Sequence, residues 1–278
     1  TTVACGGTVR IINGCVVRGG VLEKVGLPRN PLALFQVVEY LRAFLGGRLG
    51  WSAINGMLIV SGAFGVFHRD TVVAAGGFRA DVIGEDMEMT TRLHRTLSAR
   101  GQRYRVAFIP DPLCGTDAPG DIGTRARQRK RWQRGLAESL WENRQMCFAK
   151  GGGSAGWLAY PFFVVFELLS PVVEVGGMLV MATAFALGMM SGMNFVAFMA
   201  AAFALGVMLS ATAILLEELS FHTYPKARHV VVLFLVSIIE NLGYRQLNSI
   251  WRLQALYGWL TGARIHWGVM KRKADWQQ

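Results

Sequence analysis

The chain has 278 residues, 52% of them hydrophobic and 17% charged, with a net charge of +11. Soluble domains carry roughly 25% charged residues, so this balance argues against an ordinary water-soluble enzyme, and also against disorder or a collagen-like repeat. Residues 1–150 hold 21 basic and 12 acidic side chains and the remainder 8 and 6, so charge gathers in the first half and apolar residues in the second.

Taken in chain order, Val3-Ala4-Cys5 and Thr8–Ile12 read as strands around a Gly6-Gly7 turn. Pro31–Gly46 reads as a helix with Leu34, Val37, Val38, Leu41 and Leu45 on one face. Leu58–Phe67 is apolar and broken by Gly62 and Gly65. Met87–Arg100 is helical, Val106–Pro110 a strand, and Pro119–Asn143 opens as a loop and becomes a basic, aromatic helix. Strands mixed with helices predict an α/β layer with a mixed sheet.

After the flexible 151–156 stretch, Trp157–Leu169 is a 13-residue apolar run. It is too short to span a bilayer alone. It lies in the interface, with Trp157 and Tyr160 at headgroup level, or extends the span that follows. Between Glu174 and Glu217 come 42 residues without Asp, Glu, Lys or Arg. A span takes about 20 residues, so this stretch predicts a hairpin, with spans at about 171–190 and 195–216 and a turn over Gly188–Asn194. Val230–Leu260 starts apolar and turns polar, with Asn241, Arg245, Asn248 and Arg252 on one helical face. That stripe reads either as an amphipathic interfacial helix or as the wall of a polar conduit, since lipid does not solvate charge. The basic first half and the tail cations Arg264, Lys271, Arg272 and Lys273 both belong on the cytoplasmic side. This requires an even number of spans after residue 150, two or four.

Cys5, Cys15, Cys114 and Cys147 form no CxxC pair and no metal spacing with any of the five histidines. They predict reduced thiols rather than a disulfide scaffold. The chain opens Thr1-Thr2-Val3, with neither initiator Met nor signal peptide, and is expected to be a fragment.

Three constellations can carry chemistry. Gly84-Glu85-Asp86-Met87-Glu88 puts three carboxylates at a helix start, where the helix dipole favours anions. They serve as plain capping or expose a general base at the mouth of a site. Arg125–Arg134 holds six cations with Trp132 among them. It is a solvated basic face, a patch against anionic headgroups, or a site that binds diphosphate through Arg and a sugar ring through Trp. Gln128, Arg131 and Trp132 fall at i, i+3 and i+4, on one helix face. Ser61-Gly62-Ala63-Phe64-Gly65 is a tight turn whose glycines permit close backbone approach.

Together these residues resemble family 2 glycosyltransferases. Gly84-Glu85-Asp86 is similar to their (T/G)ED acceptor-base motif, and Gln128-Arg129-Lys130-Arg131-Trp132 to the QxxRW motif of their processive, membrane-integrated members. The spacing of about 40 residues between the two also fits. Ser61-Gly62-Ala63-Phe64 resembles the acceptor-side turn before the finger helix. Glu240–Leu247 resembles the late membrane segment of poly-N-acetylglucosamine and hyaluronan synthases, and the cellulose synthases belong to the same broad group.

The resemblance implies a partial GT-A-type α/β glycosyltransferase domain over 1–150, with an interfacial helix at about 124–143, followed by an α-helical transmembrane and interfacial region over 151–278. It implies that Asp86, with Glu85 beside it, deprotonates an acceptor hydroxyl that attacks a nucleotide sugar, a UDP-sugar by preference, with inversion. Gln128, Arg131 and Arg129 would hold the donor diphosphate. Trp132, Ser61, Gly62 and Ala63 would hold the polysaccharide acceptor, and Asn241, Arg245 and Asn248 are candidate channel-lining residues. The protein would be a multi-pass protein of the cell inner or plasma membrane, in contact with the lipid bilayer, its catalytic part cytoplasmic. The family's metal motif, DxD, occurs nowhere in this chain. The Mg²⁺ or Mn²⁺ ligands are therefore expected upstream of Thr1, with no metal site here, and the chain alone is expected to be inactive. A lipid-directed enzyme of the ceramide glucosyltransferase kind and a non-catalytic membrane scaffold are the alternatives. Nucleic acid is not an expected partner, because the basic run abuts membrane segments.

Overall fold

The computed structural model describes residues 1–263. The tail cations used in the topology argument, Arg264 and Lys271–Lys273, lie outside the described residues. The α/β layer is built on strand β1 (Thr2–Ile11), followed by the short hairpin β2 (Val16–Arg18) and β3 (Val21–Lys24). Helix α1 (Pro31–Leu41) runs on through a widened π-type stretch, Arg42–Arg48, into α2 (Leu49–Ala53). Next come β4 (Gly65–Phe67), α3 (Arg69–Ala74), α4 (Glu85–Ala99), β5 (Arg105–Thr116) and α5 (Ile122–Glu142).

β1 is the central strand of a three-stranded sheet, order β4-β1-β5, antiparallel to β4 and parallel to β5. Its Thr, Val and Ile content suits a strand buried on both faces. The Gly6-Gly7 turn expected from the sequence does not form, because both glycines lie inside β1. A Cβ on Gly7 would run into the Phe64 ring, and one on Gly6 would stand 3.1 Å from Val60 Cγ1. The glycines clear room for the 60–64 segment to cross the strand.

Two side-chain caps set the helix starts. Asn30 accepts from Leu32 N at 2.9 Å and Ala33 N at 3.3 Å ahead of Pro31, and its own amide donates to Gly120 O at 2.9 Å. Asp121 accepts from Thr124 N at 2.8 Å. Such caps contribute about 1 kcal/mol each. The Asn30 bond to Gly120 also ties the start of α1 to the loop that feeds α5.

The second half is helical: α6 (Ala155–Leu168, with widened turns), α7 (Ser170–Ala186), α8 (Gly192–Ser220), α9 (Ala227–Ile239) and α10 (Tyr244–Leu260). Among the described helices, α8 alone is long and apolar enough to cross a membrane by itself, with a mean hydropathy of 2.2 and 22% of that window buried. At 1.5 Å per residue its 29 residues reach about 43 Å, more than a hydrocarbon core of about 30 Å. The expected span at 195–216 lies within α8, and that at 171–190 corresponds to the shorter α7. The Trp157–Leu169 run continues into α7 across a 43° bend next to Pro171, which has no amide proton to give. The expected Val230–Leu260 helix is broken: α9 and α10 meet at 59°, where Gly243 adopts φ +97°. By length and composition the described residues offer one span, or up to three if each bent pair counts as one. That range includes two, one of the even numbers that the charge distribution requires.

Buried ion pairs join the two halves. Arg10 on β1 grips Glu217 on α8 through two bonds, 2.8 and 3.1 Å. Arg42 pairs with Glu240 and Ser210, and Ser210 Oγ donates to the same carboxylate at 2.7 Å.

Candidate active site

Asp86 lies in the first turn of α4, half-buried. Its Oδ2 accepts the Gly62 amide at 2.8 Å and its Oδ1 the Met87 amide at 2.9 Å. The turn that presents Gly62 closes with Phe64 N donating to Ser61 O at 3.0 Å, while Ala63 N reaches Ser61 Oγ at 3.4 Å. The structure therefore brings together two motifs 24 residues apart, and Ser61, Gly62 and Ala63 form the rim over the carboxylate. Burial pushes the Asp86 pKa above the ordinary carboxylate value, and the neighbouring charge of Glu85 adds to the rise. The two amides and the Arg48 cation oppose it.

Glycine contact fixes where this carboxylate sits. Gly84, just before α4, packs on Gly135 in the middle of α5, and a Cβ on either would come within about 3.1 Å of the other's backbone. That close approach draws the start of α4 onto the helix that carries the second motif.

On α5, Arg129 and Trp132 meet, the guanidinium lying 4.6 Å from the indole centroid. This is a cation–π arrangement. Glu39 on α1 pairs with both Arg129 and Arg125. Burial lowers the Arg129 pKa to about 10, with Glu39 opposing and Arg125 adding to the drop, so Arg129 is a cation at neutral pH. Its Nε and Nη2 are buried with no hydrogen-bond partner among the described residues. Trp132 is 41% exposed. Gln128 does not join this group. It is buried, and its carbonyl accepts Arg125 Nη1 at 2.6 Å. Arg125 in turn reaches Gln36 at 2.8 Å and Tyr244 at 3.1 Å. Arg131 is half-buried.

The two motifs are linked by one face of the α1 extension. Trp132 stands 6.4 Å from Tyr40, and Tyr40 stands 5.7 Å from Phe44. The Arg48 guanidinium lies 3.9 Å from the Phe44 centroid and exerts its charge on Asp86. Burial lowers the Arg48 pKa to about 10, while Asp86 and Tyr40 pull it back up. Sequence reading missed Glu39, Tyr40 and Arg48. The one available signal was an acid and a base within an otherwise apolar helix.

The expected single helical face does not form: Asn241 lies in the turn before α10, while Arg245, Asn248 and Arg252 follow on the helix. Asn241 donates to Ser237 O at 2.7 Å and accepts from Arg245 Nη1 at 3.5 Å. Both approach Gly206 of α8, where a Cβ would collide with them. Arg245 Nε pairs with Glu174 of α7 at 3.2 Å. Arg252 donates to Gln133 of α5 at 2.7 Å. Asn248 Oδ1 is buried and unpartnered among the described residues.

A divalent cation, expected from the resemblance, finds no site in these residues. No group of three or more His, Cys, Asp or Glu among the described residues could hold one.

Residues 21–215 match the family described as glycosyl transferase family group 2. The chain belongs to that family. It is 29% identical over 109 residues to the poly-beta-1,6-N-acetyl-D-glucosamine synthase of Staphylococcus aureus (strain COL), a match covering 39% of this chain and 25% of that protein. The synthase of the same name from Staphylococcus epidermidis is 28% identical over the same shares. The match thus spans a quarter of the length of these curated relatives. A solved structure, the mannosyltransferase PcManGT from Pyrobaculum calidifontis in complex with GDP-Man and Mn²⁺, aligns with a TM-score of 0.46 at 17% identity, covering 87% of this chain and 54% of that one.

Proposed function

We propose that the chain carries the acceptor side of an inverting glycosyltransferase that extends a polysaccharide from a nucleotide-sugar donor and passes the product out through its own membrane helices. Asp86 acts as the general base. Deprotonating the acceptor hydroxyl needs a carboxylate with a raised pKa, and burial beside Glu85 supplies that rise. Glu85 tunes Asp86 through its charge. Arg129 and Arg131 stabilise the departing diphosphate, whose negative charge grows in the transition state, and Gln128 holds the adjoining Arg125 in place. The indole of Trp132, with the Ser61–Ala63 rim, offers the acceptor sugar an apolar plate. A UDP-sugar is the expected donor. The expectation of Mg²⁺ or Mn²⁺ rests on the family resemblance alone.

The helices between residues 155 and 260 are read as membrane-embedded, with residues 1–150 on the cytoplasmic side and α5 resting at the inner leaflet. An even number of crossings follows if one bent pair spans and the other re-enters. Asn241, in the turn before α10, and Arg245 and Asn248 on α10 then line the exit path. The similarity to a polysaccharide synthase favours polymer over a single glycosylated lipid. The observation that carries the reading is the Gly62–Asp86 bond, which joins the acceptor turn to the base. The experiment is product analysis with the full-length protein and its Asp86→Asn variant. A long polymer from the wild type and none from the variant supports the proposal. A single glycosylated lipid replaces it with the lipid-directed reading, and unchanged product removes Asp86 from the chemistry.

A further inference from the structure

A cavity of about 330 Å³ lies between the C-terminal end of α4 and the 145–152 loop, away from Asp86. Arg95, Arg100 and Lys150 line it, with Ser98 and Gln145. Among the described residues none of the three cations has a carboxylate within ion-pair distance. Arg95 is held in position, its Nε donating to the buried Asn143 Oδ1 at 2.8 Å, and its Nη groups make no hydrogen bond among the described residues. The volume falls within the range of small-ligand sites, about 300–1,000 Å³.

The wall of the cavity also touches an aromatic rim. Trp157 Nε1 donates to the carbonyl of Ala149, a lining residue, at 3.1 Å. Trp157 packs edge-on to Phe148 at 5.3 Å, and both rings are mostly exposed. From Trp157 onward α6 presents further exposed apolar side chains, among them Leu158, Val165 and Phe166. Exposed indole beside cations is the composition of a membrane–water boundary. The carbonyl end of α4 opposes an anion at this wall, so binding is expected to be weak unless all three cations engage.

We propose that this cavity is a phosphate-binding site. It takes the phosphate of an anionic lipid headgroup or a free phosphate, through charge-assisted bonds from Arg95, Arg100 and Lys150. It does not depend on the catalytic assignment, and Asp86→Asn is expected to bind as the wild type does.

The test uses the full-length protein in dodecyl maltoside micelles at constant ionic strength. Its Tm is followed while phosphatidylglycerol, phosphatidylcholine or inorganic phosphate is added. The comparison variant is Arg100→Gln/Lys150→Gln, whose sites are both exposed and whose Tm without added anion should match the wild type. Phosphatidylglycerol or phosphate should raise the Tm and phosphatidylcholine should not. In the double variant the midpoint should move to roughly tenfold higher concentration, as two charge-assisted bonds are lost. A response to phosphatidylglycerol alone assigns the site to lipid, and a response to both anions assigns it to the phosphate group itself. No response to either anion, or the same midpoint in the double variant, overturns the proposal.

Discussion

The backbone amide of Gly62 donates to Asp86 Oδ2 at 2.8 Å, and this one bond couples the turn that begins at Ser61 to the carboxylate. The turn cannot shift without changing the solvation of Asp86, and the base cannot rotate without releasing the turn. Replacing Asp86 by Asn removes the basicity and keeps an acceptor oxygen for Gly62, at the cost of turning an NH2 group toward the Met87 amide that Oδ1 accepts. Asp86→Asn should lower kcat by roughly 10²–10⁴, the usual contribution of a general base, with a Tm lowered only by the loss of one amide bond, about 0.5–1.5 kcal/mol. Sugar incorporation and a thermal melt on the same preparation check both halves.

Because the pKa of Asp86 is raised, its linkage to pH has a definite sign. The folded state holds this proton to higher pH than the unfolded chain does. Asp86 therefore lowers net stability as pH climbs past the ordinary carboxylate value, near 4. Activity runs the other way, rising as the proton leaves. The acid limb of kcat/KM should lie above that value, and Arg48→Gln should move it higher, since Arg48 is the cation that opposes the rise. Arg48→Lys should restore it. A limb that Arg48→Gln leaves in place would sever Arg48 from the site.

Glu39 is the shared anion of Arg125 and Arg129. Removing one partner of a buried ionic cluster costs about 3–5 kcal/mol, because the remaining charge is stranded. Glu39→Gln should be strongly destabilising, and Glu39→Gln/Arg129→Met less so. Denaturation of the two variants tests this, and a double variant weaker than the single one would refute it.

These cases show what local sequence conveys. The long apolar helix α8 was legible because an unbroken apolar run of this length is a local pattern that no tertiary contact alters. The position of Asp86 at a helix start was legible because a carboxylate pair after glycine is a local pattern. Gly6-Gly7 misled, because the same dipeptide serves a turn or a close crossing, and Phe64 lies nearly sixty residues away in the chain. Gln128 was placed on the right helix, but its carbonyl answers Arg125, whose burial depends on Gln36, Glu39 and Tyr244 from distant elements. Arg48 acts on Asp86 only through the fold.

Gly135→Ala should disturb both motifs at once. Its Cβ would come within about 3.0 Å of Gly84 backbone, and overpacking of this kind costs about 1–3 kcal/mol. A Tm lowered by several degrees together with reduced kcat is expected. A fully active, equally stable variant would show that the Gly84–Gly135 approach does not set the site.

Gly206→Leu should push the Asn241–Arg245 pair away from α8. If that face lines the exit, secreted polymer should fall while sugar incorporation into short products persists. Equal loss of both would place the defect in folding instead.

The Arg10–Glu217 pair spans 207 residues of sequence. At 5–20 residues per second of synthesis, Arg10 emerges from the ribosome about 10–40 s before its partner. Throughout that interval the central strand carries a cation built for a low-dielectric seat that does not yet exist. The sheet is therefore expected to mature last, after α8 has been synthesised, which makes translation speed between the two residues a determinant of yield.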